Sequence, residues 1–167
     1  MILRFKGKVF QLMTQKCRLP NGYVATIEVI RHPGAVVIIP LLKNDRLILL
    51  RQFRPVLGRY LYELPAGTKE KNESFLQCAK REIMEETAFK ANKFSQIGRI
   101  YPVPGYSTEE IRIFKAEELQ KFAVLQKDED EILETHSMLK SQVRNLFKTG
   151  KILDAKTICA LTFLRWL

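Results

Sequence analysis

Apolar residues run almost unbroken from Ala35 to Leu42. A run of that length reads as a strand buried on both faces. Asn44-Asp45 supplies turn chemistry and returns the chain into a second apolar stretch, Leu47 to Phe53. Upstream, Val9 to Met13 and Tyr23 to Ile30 have strand character, with Pro20-Asn21-Gly22 as the turn of an N-terminal β-hairpin. Downstream, Leu61 to Leu64 is a short strand ending at Pro65-Ala66-Gly67. Asn72 is placed to cap a helix that runs to about Thr87. Phe94 to Tyr101 and Ile111 to Ala116 follow as strands, separated by Pro102-Val103-Pro104-Gly105. An acidic run, Asp128 to Glu134, leads into two helices, Ser137 to Lys148 and a second capped by Asp154 that continues to the end. Strands first, one helix in the middle and helices last predict a mixed α/β architecture around one sheet. The expected division is a hairpin region, residues 1–34, and a domain covering residues 35–167.

The predicted helix carries its acids on the wrong side. With Phe75 at zero and a rotation of about 100° per residue, Ala79 falls at roughly 40°, Ile83 at roughly 80° and Leu76 at roughly 100°. Glu86 lands at roughly 20° and Glu82 at roughly 340°, on the edge of that apolar stripe, with Glu85 beside them. At spacing i, i+3 and i+4 the three carboxylates can converge on one point. Two carboxylates about 4 Å apart repel by on the order of 4 kcal/mol at an effective dielectric near 20. A hard divalent cation, Mg²⁺ or Mn²⁺, prefers carboxylate oxygens and would offset that repulsion. The same string also fits a solvated acidic face with Lys80 and Arg81 as partners.

Composition narrows the class. The chain has 167 residues, 46% hydrophobic and 28% charged, an ordinary globular balance with one domain as the prior. No charge-free stretch approaches the roughly 20 residues of a membrane helix. No secretory signal is visible in Met-Ile-Leu-Arg-Phe-Lys at the start. Three widely spaced cysteines, Cys17, Cys78 and Cys159, form no CxxC pair, so the expectation is a reducing, cytoplasmic setting without structural zinc. Lys and Arg total 28 against 18 Asp and Glu, a net charge of +10 that favours anionic partners. The basic residues are scattered without aromatic interleaving, which argues for a phosphorylated metabolite over nucleic acid.

Gly67, Glu73 and the segment Arg81-Glu82-Ile83-Met84-Glu85-Glu86-Thr87-Ala88-Phe89 resemble the Nudix box, GX5EX7REUXEEXGU. Ala88 stands where that family usually has glycine. His32-Pro33-Gly34-Ala35-Val36, Arg51-Gln52-Phe53-Arg54-Pro55 and Glu63-Leu64-Pro65-Ala66-Gly67 are similar to the ADP-ribose pyrophosphatase and nucleoside diphosphate sugar branch. So are the downstream Pro104 with its following loop, and the segment from Gly150 through Asp154-Ala155-Lys156-Thr157. The resemblance implies an α/β/α sandwich around a mixed sheet. It also implies hydrolysis of ADP-ribose, a GDP-sugar, another nucleoside diphosphate sugar or a dinucleotide. A non-catalytic Nudix module that binds ADP-ribose or RNA is the rival from another class, and such modules typically lose acids that are all present here.

Carried over by position, the resemblance makes Glu82 and Glu86 the core metal ligands, with the Ala66 carbonyl as a third and Glu85 completing the cluster. Gly67, Glu73 and Arg81 hold the geometry between loop and helix. Arg54 is the expected phosphate or nucleotide contact, Glu109 a substrate or metal contact, and Glu28 a residue near the base. Arg51 is either a substrate contact or a solvent-facing charge at a strand end. Glu131 is the expected general base, with Asp130 and Glu134 as its alternatives. Tyr23, Phe10 and Tyr106 are all candidates for stacking on the base. The branch also implies a homodimer built through the N-terminal hairpin, with no membrane partner.

Overall fold

The computed structural model describes residues 1–122 and 132–167. Its main sheet has the strand order β10-β5-β4-β9-β8, with β6 paired to β5 and β7 paired to β4. β4 (Ala35–Leu42) and β9 (Ile111–Lys121) run parallel; β5 (Arg46–Arg54), β6 (Arg59–Glu63), β7 (Ala66–Thr68), β8 (Phe89–Ile100) and β10 (Leu133–Leu139) pair antiparallel. The sheet is therefore mixed, and helices cover both faces.

β4 explains why its sequence reads as one apolar run. Val36 and Ile38 pack under α1 (Phe75–Thr87) with Cys78, Ala79, Ile83, Phe114 and Ala116. Ala35, Val37 and Ile39 point to the opposite face, against Val143 of α2 (Lys140–Lys148) and Ala160 and Leu161 of α3 (Ala155–Phe163). The strand is a shared wall between two cores, so every position is apolar. Both faces covered by helices give the expected α/β/α sandwich.

The N-terminal region is a separate three-stranded sheet, β1 (Ile2–Lys6), β2 (Gln11–Arg18) and β3 (Val24–Arg31), where the sequence predicted only a hairpin. The extra strand, β1, pairs with β2 through a bulged register. β3 is tied to the loop between β8 and β9: Ile30 N–H donates to the Tyr106 carbonyl at 2.7 Å and Thr108 N–H to the Ile30 carbonyl at 3.0 Å.

Three helix boundaries differ from expectation, and β2 (Gln11–Arg18), β8 (Phe89–Ile100) and β9 (Ile111–Lys121) are longer than the strands read from sequence. The cap of α1 is Ser74, not Asn72: Gln77 N–H donates to Ser74 Oγ at 3.2 Å and Ser74 N–H to Gln77 Oε1 at 2.8 Å. This is the reciprocal S-x-x-Q box, while Asn72 takes the left-handed turn before it, at φ 66°. α2 begins at Lys140 because Ser137 to Leu139 complete β10 against Ile48 to Arg46. Leu76, expected in the buried stripe of α1, is 42% exposed, and Cys78 is buried in its place. α3 has the expected Asp154 cap but ends at Phe163.

Candidate active site

The site is built where α1 passes beneath β7. β7 is held to β4 through the pairs Ala35–Thr68, Val36–Gly67 and Val37–Ala66. Its backbone then meets the acids of the helix. Ala66 N–H donates to Glu86 Oε2 at 2.9 Å, and Glu86 is only 3% exposed. A Cβ placed on Gly67 would fall inside the Glu82 carboxylate, so only glycine lets the strand approach that closely. The unusual angular placement of Glu82 and Glu86 on the apolar edge thus becomes two carboxylates aimed under a strand.

Arg81 organises the rest. Its Nε and Nη2 bind Glu73 at 3.0 and 3.1 Å, and its Nη1 lies 2.7 Å from Glu82 Oε1 and 2.9 Å from Glu85 Oε2. A further donation reaches the Thr68 carbonyl of β7 at 3.3 Å. Partial burial works against the guanidinium charge. The Glu73 hydrogen bond and then the charge of Glu82 outweigh it, and the Arg81 pKa is raised. Burial likewise pushes the Glu73 carboxyl up, but the Arg81 hydrogen bond and the Glu70 backbone N–H bring it below the usual range. Cys78 lies beneath this network; burial, with the charges of Glu82 and Glu73, pushes its thiol up to about 12 and makes it inert as a nucleophile.

The three acids do not converge on one point as the sequence suggested. Glu82 and Glu85 meet at Arg81 Nη1, whereas Glu86 turns to the Ala66 N–H. Arg81 supplies the positive charge that offsets their repulsion. As the side chains stand, no three His, Cys, Asp or Glu among the described residues are grouped to hold a metal ion. The donor chemistry nevertheless suits one: hard carboxylate oxygens under a backbone strand, with glycine clearing the space beside Glu82.

These groups open onto a cleft of about 1410 Å³. Gly67, Arg81, Glu82 and Glu85 line it, with Arg54 from the end of β5 and Lys8 and Gln11 from the N-terminal region. Arg54 is not a free charge. Its Nε and Nη2 bind Glu63 Oε1 and Oε2 at 2.7 and 2.6 Å. That hydrogen bond is the main reason the Arg54 pKa is raised. Burial pushes the Glu63 carboxyl up, and the Arg54 hydrogen bond and the Lys156 charge pull it below its ordinary value.

Arg51, Glu28 and Glu109 lie outside the described lining of this cleft. Arg51 stacks over the Tyr60 ring at 3.9 Å and meets Glu134 at 3.3 Å, its cross-strand neighbour on β10. Glu28 is exposed on β3, opposite Thr14. Glu109 sits 4.0 Å from His32 Nδ1. That nitrogen already accepts the Gly34 N–H at 3.1 Å, so the contact is not an ion pair while the ring is neutral. Glu131 and Asp130 lie outside the described residues. β10, which leaves that acidic run, touches α1.

Sequence reasoning missed the Glu63–Lys156 connection. Glu63 is 1% exposed and binds Lys156, which also reaches Asp154 Oδ1 at 2.8 Å. An acid within the otherwise apolar Leu61 to Leu64 stretch was the available signal.

Comparison with known proteins agrees with this geometry. The chain is 36% identical over 162 residues to an ADP-ribose pyrophosphatase of Bacillus subtilis, covering 96% of this chain and 88% of that one. Over the same shares it is 31% identical to a methanol dehydrogenase activator of Bacillus methanolicus. It is also 31% identical to a GDP-mannose pyrophosphatase of Escherichia coli, over 83% of this chain and 80% of that one. The fold matches the crystal structure of an ADP compounds hydrolase with a TM-score of 0.81 at 23% identity, covering 98% of this chain and 88% of the other. The NUDIX domain model matches residues 31–161, and the chain belongs to the Nudix family.

Proposed function

We propose that this Nudix hydrolase cleaves the pyrophosphate bond of ADP-ribose or a related nucleoside diphosphate sugar, adding water to give a nucleoside monophosphate and a sugar phosphate. The observation that carries the reading is the acid-rich end of α1, with Glu82 and Glu86 set under the β7 backbone beside a cleft that Glu82, Glu85 and Arg54 line. The relatives named for ADP-ribose and GDP-mannose pyrophosphatase activity support the substrate class.

Glu82, Glu85, Glu86 and the Ala66 carbonyl are the residues that would hold Mg²⁺ or Mn²⁺. When bound there, the cation neutralises phosphate charge and lowers the pKa of the attacking water. Arg54, held by Glu63 through Nε and Nη2, offers its Nη1 donors to a phosphate oxygen. Arg81 and Glu73 hold the start of the helix against β7, so that the acids keep their aim. A carboxylate from the acidic run, Glu131 by register, takes the proton from the water.

The catalytic domain is residues 35–167, and the N-terminal sheet makes the chain a homodimer. In support, Ile2, Leu3, Phe5 and Val24 of that small sheet, with Phe10 and Tyr23 in its connecting segments, are exposed apolar side chains that a second copy would cover. Light scattering showing an active monomer overturns the dimer. Three free cysteines suit a reducing cytoplasm. Incubation of the protein with ADP-ribose, GDP-mannose, other nucleoside diphosphate sugars and dinucleotides, with Mg²⁺ and with chelator, tests the reading. Mg²⁺-dependent release of a nucleoside monophosphate supports it, and binding without hydrolysis across the panel refutes it.

A further inference from the structure

Among the described residues, Glu63 is the most deeply buried carboxylate that the proposed chemistry leaves unused. It ends β6 at 1% exposure, and both its oxygens are committed. Oε1 accepts from Arg54 Nε; Oε2 accepts from Arg54 Nη2 and from Lys156 Nζ. Lys156 in turn binds Asp154 Oδ1, while Asp154 Oδ2 takes the Thr157 N–H and caps α3 at 2.9 Å. A continuous chain of contacts therefore runs from the N-terminus of α3, through Asp154, Lys156 and Glu63, to Arg54 at the cleft.

Charge and geometry indicate what this chain does. A lone carboxylate at this depth is costly, and one cation would suffice to pair it. Here two cations share it. Lys156 balances Asp154 as well, so the two cations and two carboxylates sum to zero, and what Arg54 presents to the cleft is directed donors rather than net charge. The contact with Glu63 uses Nε and Nη2, which leaves the Nη1 donors uncommitted to Glu63. The Arg54 side chain keeps 37% exposure and lines the cleft with Ala66, Gly67 and Glu82. A guanidinium clamped on one edge and open on the other is pre-organised, so less side-chain freedom is lost when an anion arrives.

We infer that Glu63 and Lys156 are positioning residues that hold Arg54 aimed at the substrate's diphosphate. This rests on the pyrophosphatase reading above. The roles act through Arg54, so the test is a double-mutant cycle. KM and kcat for ADP-ribose with Mg²⁺ are measured for wild type, Glu63→Gln, Arg54→Ala and the double variant, with a melting curve for each. Glu63→Gln is expected to raise KM about tenfold with a much smaller change in kcat, the pattern of lost uniform binding. On the Arg54→Ala background the same substitution is expected to leave KM unchanged. If KM stays at the wild-type value, or rises equally on both backgrounds, Glu63 is only a buried structural acid and the inference fails. Should Glu63→Gln not fold, Lys156→Gln carries the same test: KM raised only when Arg54 is present, with Lys156→Arg restoring it. A Lys156→Gln enzyme with unchanged KM overturns the inference. Wild-type protein inactive on every nucleotide of the panel refutes the pyrophosphatase reading instead, so the two failures are distinguishable.

Discussion

Gly67→Ala separates the folding role of β7 from its catalytic role. Gly67 is not among the positive-φ glycines, so alanine can adopt its backbone. Restricting the unfolded chain then gains about 0.4–1 kcal/mol. The three atoms nearest the new Cβ all belong to the Glu82 carboxylate, the end of a flexible side chain, which must swing away. That loosens the Arg81–Glu82 pair, whose side chains are 25% and 12% exposed. A partly exposed pair contributes about 0.2–1 kcal/mol. The two effects nearly cancel, and Tm should move by no more than about 2–4 °C. Catalysis does not share that cancellation. The Glu82 oxygen 1.8 Å from the new Cβ must retreat by more than about 1 Å, and a misplacement of that size already costs roughly 10²-fold in rate. Turnover of ADP-ribose as a function of Mg²⁺ concentration, alongside a melting curve, measures both. A folded variant with lowered turnover and a higher Mg²⁺ midpoint is expected. Near-wild-type turnover at the wild-type midpoint would refute the role given to Glu82, and a collapse of Tm would refute the claim that a movable side-chain tip is what obstructs the new methyl.

Ala88→Gly should stabilise the protein by about 0.5–1 kcal/mol in urea unfolding, without changing KM. Ala88 closes α1 at φ 58°, where a Cβ costs about 1–2 kcal/mol and glycine returns part of that as unfolded-state freedom. Glu86→Gln should fold, because its amide oxygen can still accept the Ala66 N–H, yet lose turnover by orders of magnitude. Stability should fall as pH drops below 4.5. Glu63 and Glu73 have folded pKa values beneath that reference, so their contribution is full above it and is lost as pH falls through the lowered values. Urea midpoints measured from neutral pH downward should show this acid limb, and Glu63→Gln should flatten it.

The parts legible in the sequence were those set by local pattern. The double-sided burial of β4 wrote itself as an unbroken apolar run, and the wheel position of Glu82 and Glu86 marked a helix with acids where core should be. What stayed hidden depended on partners distant in the chain. Ser137 to Leu139 belong to a strand because Ile48 to Arg46 lie beside them, and nothing local distinguishes them from the helix that follows. Arg54 reads as a free charge until Glu63 and Lys156 are brought together across 93 residues of sequence. The role of Arg81 was half legible. The motif put it with Glu73 between loop and helix, but not that one nitrogen would also gather Glu82 and Glu85. Asn72 and Ser74 are both good caps, and only the Gln three residues after Ser74 decides between them.

The central claim is that an acid cluster on α1 supports attack of water on a diphosphate. Its most direct measurement is chromatographic separation of the products formed from ADP-ribose by the purified chain, with Mg²⁺ and after chelation. The account predicts AMP and ribose 5-phosphate in equal amounts with Mg²⁺ and neither after chelation. Hydrolysis that persists without a divalent cation, or cleavage at any bond other than the pyrophosphate, would contradict it.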